Sequence, residues 1–121
     1  MGTFGELEQA IMDALWRAEG ALSANDLRDL LGAQRGHDKT PAVTTVLTVL
    51  SRLENKGFVA RDRSRRPHRY TPQRSRESHV ADLMREVLEN SSDRSAALAH
   101  FVGSADESEV QVLRQLLAAR N

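Results

Sequence analysis

Apolar residues recur at helical spacing in six stretches of this 121-residue chain, and a short region of strand-like residues interrupts them after the third. Leu7, Ile11, Ala14 and Leu15 repeat every three or four positions. Met12 and Trp16 widen the stripe, which runs through Ala18 until Gly20 breaks it. That spacing predicts a core helix, with Trp16 as a packing anchor. Ala21-Leu22 can add a short strand. Ser23 is placed to cap a second helix through Leu31, with Leu27, Leu30 and Leu31 facing inward and Gly32 ending it. Gln34 to Lys39 then reads as a polar loop.

The third helix starts, on this reading, with Thr40 as its cap and Pro41 at the first helical position, where no N–H donor is needed, and it ends at Gly57. At 100° per residue Ala42, Val46, Val49, Leu50 and Leu53 share one arc. Thr44, Thr48, Ser51, Arg52 and Asn55 occupy the opposite arc, with Thr45 beside them. An ordinary solvated face would carry Glu, Lys and Gln, which favour helix more than Thr and Ser do. Short hydroxyl side chains let a helix lie close to base edges and phosphates, and Arg52 can reach a guanine edge or the backbone. The competing reading is a Thr-rich helix buried in a plain bundle. Leu47, on the border, either packs inward or meets a thymine methyl.

Phe58 to Arg63 reads as a strand, Ser64-Arg65-Arg66-Pro67 as its turn and His68 to Pro72 as the returning strand. Pro67 cannot donate to a ladder, which suits a projecting tip. Arg65 and Arg66 then stand in solvent, able to meet phosphates or a narrow minor groove. Lys39, Thr40, Arg63 and His68 are further candidate backbone contacts. The order helix, short strand, helix, helix, two-stranded wing is that of a winged helix-turn-helix with the third helix as the reader of DNA.

From Arg76 onward the pattern is helical only. Val80, Leu83, Met84, Val87 and Leu88 form a stripe from Arg76 to about Asn90. Asp93 starts a helix with Ala97, Leu98, Phe101 and Val102, and Ser104 or Asp106 caps a last one with Val110, Leu113, Leu116 and Leu117. Three short amphipathic helices make little core alone. The expectation is therefore a mainly α protein, a winged helix-turn-helix DNA-binding domain over 1–73 followed by a small all-α dimerisation domain over 74–121. Val80, Leu83, Met84, Val87, Leu98, Phe101, Val102, Leu113, Leu116 and Leu117 would interlock with a second copy. The alternative is that these helices fold back on their own winged domain. A dimer would present two recognition helices to a two-fold symmetric site on double-stranded DNA.

Charge sharpens this picture. The 17 basic and 17 acidic residues cancel, but only overall. Residues 1–34 carry two Arg against six acids, residues 35–74 ten Lys or Arg against three acids, and residues 75–121 five against eight. A basic middle flanked by acidic ends is the footprint of one face that meets phosphate. With no Cys there is no disulfide, thiolate metal site or cysteine nucleophile, which fits a reducing cytoplasm. No apolar run reaches membrane-spanning length and the first residues lack signal-peptide character, so a cytoplasmic protein without membrane insertion is expected. His37, His68, His79 and His100 form no metal or catalytic motif, and His79 with Asp82 is too weak a pair to hold a metal. An enzyme, a metal and a cofactor are not expected. Besides a repressor, one other class fits the fold: a winged-helix module used only for protein–protein assembly. Such a module would expose apolar residues where this chain has Thr, Arg52 and the wing arginines.

Several segments together resemble the penicillinase repressors of the BlaI/MecI/CopY type over nearly the whole length. These are Phe4-Gly5-Glu6-Leu7-Glu8, Met12 to Trp16, TTVLTVLSRLENKGFV at 44–59, HRYTP at 68–72 and ALAHFV at 97–102. The resemblance implies a dimeric repressor of beta-lactam-resistance or related genes, bound to an inverted-repeat operator through Thr44, Thr45, Thr48 and Arg52, with the wing arginines on the backbone. It also implies relief by cleavage just before a Phe in the tail, prompted by a membrane-bound sensor metalloprotease. The matching bond is His100-Phe101, where the family motif has Asn and this chain has His. Phe101 can equally be a dimer-core anchor. The Cys-rich metal site of the copper-responsive branch has no counterpart here.

Overall fold

The structure is a computed structural model that describes residues 4–36 and 40–120, apart from the Arg35 side chain. In chain order the elements are α1 (Glu6–Arg17), β1 (Leu22–Ser23), α2 (Ala24–Arg35), α3 (Val43–Asn55), β2 (Val59–Asp62), β3 (Arg69–Pro72), α4 (Arg76–Glu89), α5 (Arg94–Ser104) and α6 (Glu107–Arg120). The chain divides into two compact units between Leu83 and Met84, inside α4.

In the first unit α1, α2 and α3 enclose a core of Ile11, Met12, Leu15, Leu27, Leu31, Val46, Leu50 and Leu53, closed by Val59 and Tyr70 of the sheet. Each such aliphatic side chain, fully removed from water, is worth about 1.5–3 kcal/mol. The antiparallel sheet has the order β1-β3-β2, with Leu22 opposite Tyr70, and Arg61 opposite the same Tyr70 from the other side. The wing is thus tied to the helical body through its returning strand.

Short-range chemistry starts and stops these helices. At α1 the Gly5 N–H donates to Glu8 Oε1 at 2.9 Å, and that bond, aided by Lys56, holds the Glu8 carboxyl below its ordinary range. At α2 the Asp26 N–H donates to Ser23 Oγ (3.1 Å) and the Ser23 N–H to Asp26 Oδ2 (3.0 Å), a reciprocal capping box. At the end of α3 the Gly57 N–H reaches Glu54 O (3.0 Å) and the Phe58 N–H reaches Leu53 O (2.9 Å). This is a Schellman closure, and it needs the left-handed conformation that Gly57 adopts at φ 84°.

Several expected boundaries move. α3 begins at Val43 with Ala42 as its cap and no side-chain capping bond, not at Thr40-Pro41. Thr40 is engaged elsewhere: its Oγ1–H donates to Gly36 O at 3.4 Å and its side chain lies against Gly32. Val43 accordingly packs on the core while Ala42 is exposed. Gly32 does not end α2, which runs on to Arg35 and stops at Gly36, φ 90°. A Cβ at Gly32 would sit 2.6 Å from Thr40 Oγ1, so this glycine serves close packing instead. Leu30, expected inward, is 40 % exposed. The first strand is Leu22–Ser23, one residue later than expected, and β2 is trimmed to Val59–Asp62 because Phe58 closes the helix.

The N-terminal half of α4 is fastened to the winged unit by a residue that reads as polar in the sequence. His79 is buried, stacked on Phe4 (4.3 Å between centroids, 11°) and edge-on to Phe58 at 5.8 Å, with Trp16 at 5.7 Å. Among the described residues neither ring nitrogen has a hydrogen-bond partner. Trp16 donates its Nε1–H to Arg74 O at 2.8 Å and carries the Arg76 guanidinium over its ring, while Arg76 pairs with Asp13 at 2.9 Å.

The second unit contains the end of α4, then α5 and α6. The Asp93 carboxylate accepts the Ala96 N–H, capping α5. Asp106 and Glu109 exchange bonds of 2.8 and 2.9 Å at the start of α6, so Asp106 rather than Ser104 is the cap. Neither α5 nor α6 buries a residue.

Candidate nucleic-acid interface

Because Val46, Val49, Leu50 and Leu53 take the inward arc of α3, the opposite arc is turned to solvent: Thr44, Thr45, Thr48, Ser51, Arg52 and Asn55 are all exposed. Leu47 joins them at 40 % exposure, which answers the border question in favour of the outer face. Thr48 donates its hydroxyl proton to Thr44 O at 2.9 Å. The bond turns the hydroxyl back along the helix. The helix therefore offers a low, hydroxyl-and-methyl surface ending in one long cation, Arg52.

The wing stands beside it. Asp62 Oδ1 accepts both the Ser64 hydroxyl (2.6 Å) and the Ser64 N–H (2.9 Å), which starts the turn and draws the Asp62 carboxyl below its ordinary range. Arg65, Arg66 and Pro67 follow at the tip, exposed, with His68 half-buried and Arg69 exposed on β3. Arg63 is different. Its Nη2 lies 3.3 Å from Glu54 Oε2, and Arg61 Nη2 lies 2.9 Å from Glu54 Oε1, so one carboxylate from the last turn of α3 holds two guanidiniums, one in β2 and one just beyond it. Sequence reasoning missed Glu54, which is seven and nine positions from its partners on the far side of a helix end. Nothing in a periodic pattern marks that pairing. Thr40 is half-buried with its hydroxyl turned to Gly36 O, and Lys39 lies outside the described residues.

In the tail, Val80, Met84, Val87, Leu98, Phe101, Val102, Leu116 and Leu117 are exposed, and Leu83 and Leu113 are partly covered. His100 and Phe101 are consecutive exposed residues inside α5. Among the described residues no group of three or more His, Asp or Glu could hold a metal ion, and no helix is long and apolar enough to cross a membrane.

With that geometry in hand, comparison with known proteins is decisive at the level of family. The model of the family described as "Penicillinase repressor" matches residues 4–119. This chain belongs to the penicillinase repressor family. It is 41 % identical over 117 residues to the transcriptional regulator BlaI of Mycobacterium tuberculosis, in strains CDC 1551 / Oshkosh and ATCC 25618 / H37Rv, covering 94 % of this chain and 82 % of the relative. Similar solved structures include Bacillus subtilis PadR in complex with operator DNA, with a TM-score of 0.51 and 21 % identity over 94 % of this chain and 70 % of that one. A MarR family protein from Bacillus stearothermophilus has a TM-score of 0.50 and 20 % identity over 96 % of this chain and 71 % of that one. These structures bear on the fold, which is the winged helix read from the element order. Family membership makes the chain a winged-helix transcriptional regulator of the repressor kind.

Proposed function

We propose that the chain is a dimeric repressor that binds an inverted-repeat operator and controls beta-lactam-resistance or related genes. The observation that carries this reading is the exposed Thr44/Thr45/Thr48/Arg52 arc of α3 standing next to a wing whose tip holds Arg65 and Arg66 in solvent. The α3 arc reads base edges, and Arg65, Arg66 and His68 hold the phosphate backbone.

Residues 74–121 form the dimerisation domain and 1–73 the DNA-binding domain. The open apolar faces of α4, α5 and α6 meet the same faces of a second copy, so two modest half-site affinities act as one. Repression is relieved by proteolysis of His100-Phe101, downstream of a membrane-bound sensor metalloprotease, which separates α6 from the other tail helices. Because that bond is within α5, at least a turn of the helix must open before a protease can take it.

Footprinting on DNA upstream of the gene and its neighbours tests the reading. A protected two-fold symmetric site, with half-sites about one helical turn apart, is expected. On that site Arg52→Ala should cost about 1–3 kcal/mol and relax sequence preference, whereas Arg65→Ala with Arg66→Ala should weaken specific and random DNA alike and reduce the salt slope by about one per lost phosphate contact. Equal losses for both variants on both DNAs would refute this division of labour.

A further inference from the structure

The Glu54 carboxylate raises a separate question, because a repressor that needs cations for phosphate keeps an acid among them. Its two oxygens are split between Arg61 and Arg63 at 2.9 and 3.3 Å, and the Glu54 side chain is only 20 % exposed. Arg61 is 22 % exposed and its buried Nε has no partner among the described residues, so it is a fixture of the wing root. Arg63 is 60 % exposed, one residue beyond β2 on the way to the tip, and its Nη2 is held by Glu54. Glu54 itself belongs to the turn of α3 that follows Arg52, the cation of the reading face.

We propose that Glu54 is a specificity-determining residue that stands in for a DNA phosphate on the wing. A carboxylate and a phosphate offer a guanidinium the same pair of anionic oxygens. By occupying Arg61 and Arg63, Glu54 withholds Arg63 from the duplex backbone and fixes the wing to the C-terminal end of the recognition helix. Non-specific attraction falls, since it grows with each phosphate neutralised, while the base-reading arc is untouched. The register between helix and wing is set before DNA arrives. The proposal rests on the DNA-binding reading given above.

The test uses the full-length protein with two probes of equal length, the footprinted operator duplex and a random-sequence duplex, across a salt series. Glu54→Gln keeps the side-chain shape and an amide oxygen but removes the charge. It should bind the random duplex about tenfold more tightly at low salt, and its slope of log K against log salt should steepen by about 0.9, the value for one added phosphate contact. Its preference for the operator should fall several-fold. Arg63→Ala in the native background should leave the slope nearly unchanged, yet in the Glu54→Gln background it should remove the added slope. That dependence of one substitution on the other is not expected of a residue that only stabilises the fold. An unchanged slope in Glu54→Gln, or a full unit lost in the single Arg63→Ala variant, overturns the assignment of Glu54 and leaves the DNA-binding reading standing. Failure of the unaltered protein to bind either duplex overturns both.

Discussion

The two units of this chain use their apolar residues in opposite ways. In the winged unit, Ile11, Met12, Leu27, Leu31, Val46, Leu50 and Leu53 are wholly removed from water, and what remains outside on α3 is mostly Thr, Ser, Arg and Asn, with Leu47 as the apolar exception. In the tail unit Leu98, Phe101, Val102, Leu116 and Leu117 stay about half exposed or more, although the helices that carry them are as regular and as well capped. Helix formation is therefore a poor guide to burial. The winged unit covers its own stripes because three helices and a sheet converge on them. The tail has three helices in a row and no sheet to close against. Clustered apolar exposure of this kind is what the proposed second copy would cover.

If that contrast reflects a dimer, charge in the tail should do the most damage to function and least to the winged fold. Phe101→Asp with Leu116→Asp should give a monomer by sedimentation and lower operator affinity by about 10²–10⁴-fold, the scale of lost avidity, while far-ultraviolet circular dichroism of the winged unit persists. A variant that remained dimeric would remove the contrast. Leu50→Ala is the converse experiment. It opens a cavity in the closed core and should cost about 2–5 kcal/mol in urea melts.

Smaller effects refine the picture at the root of α4. His79→Phe replaces a ring whose nitrogens find no partner among Phe4, Phe58 and Trp16, and freedom from that unmet polarity should raise stability by up to about 1 kcal/mol. A loss of several times that amount would mean that the imidazole nitrogens are bonded after all. The smallest effect is in acid. Gly5 N–H and Lys56 lower the carboxyl of Glu8 from its ordinary 4.5, and the Ser23 N–H lowers that of Asp26 from 3.8. A carboxyl that is more acidic in the folded state contributes stability above its unfolded value and loses it as pH falls through the folded one. The urea midpoint should thus hold from pH 7 down to about 4.5 and decline below it, and Glu8→Gln should flatten part of that decline.

Much of the candidate site's geometry was legible in the sequence. The outward arc of α3 follows from a 100° step applied to TTVLTVLSRLEN, and Gly57, Ser23, Asp93 and Asp106 announce helix ends through bonds reaching only a few residues. The wing follows from strand-like residues around a turn that contains Pro67. Other features were hidden for a common reason. Gly32 reads as a helix stop until Thr40 is seen resting against it. Thr40 reads as a cap until its hydroxyl is found on Gly36. His79 reads only as half of a weak pair with Asp82 until Phe4, Trp16 and Phe58 enclose it.

Order along the chain was enough to dictate element types, their sequence and the face α3 turns outward, because those depend on periodicity and on caps within one or two turns. Pairings across long separations were settled only once the chain had folded. Tyr70 between Leu22 and Arg61, Trp16 on the Arg74 carbonyl, and Glu54 between two wing arginines are such pairings. A hydrophobic period says which side must be covered. It carries no information about which distant residue arrives to cover it, and that is the choice packing makes.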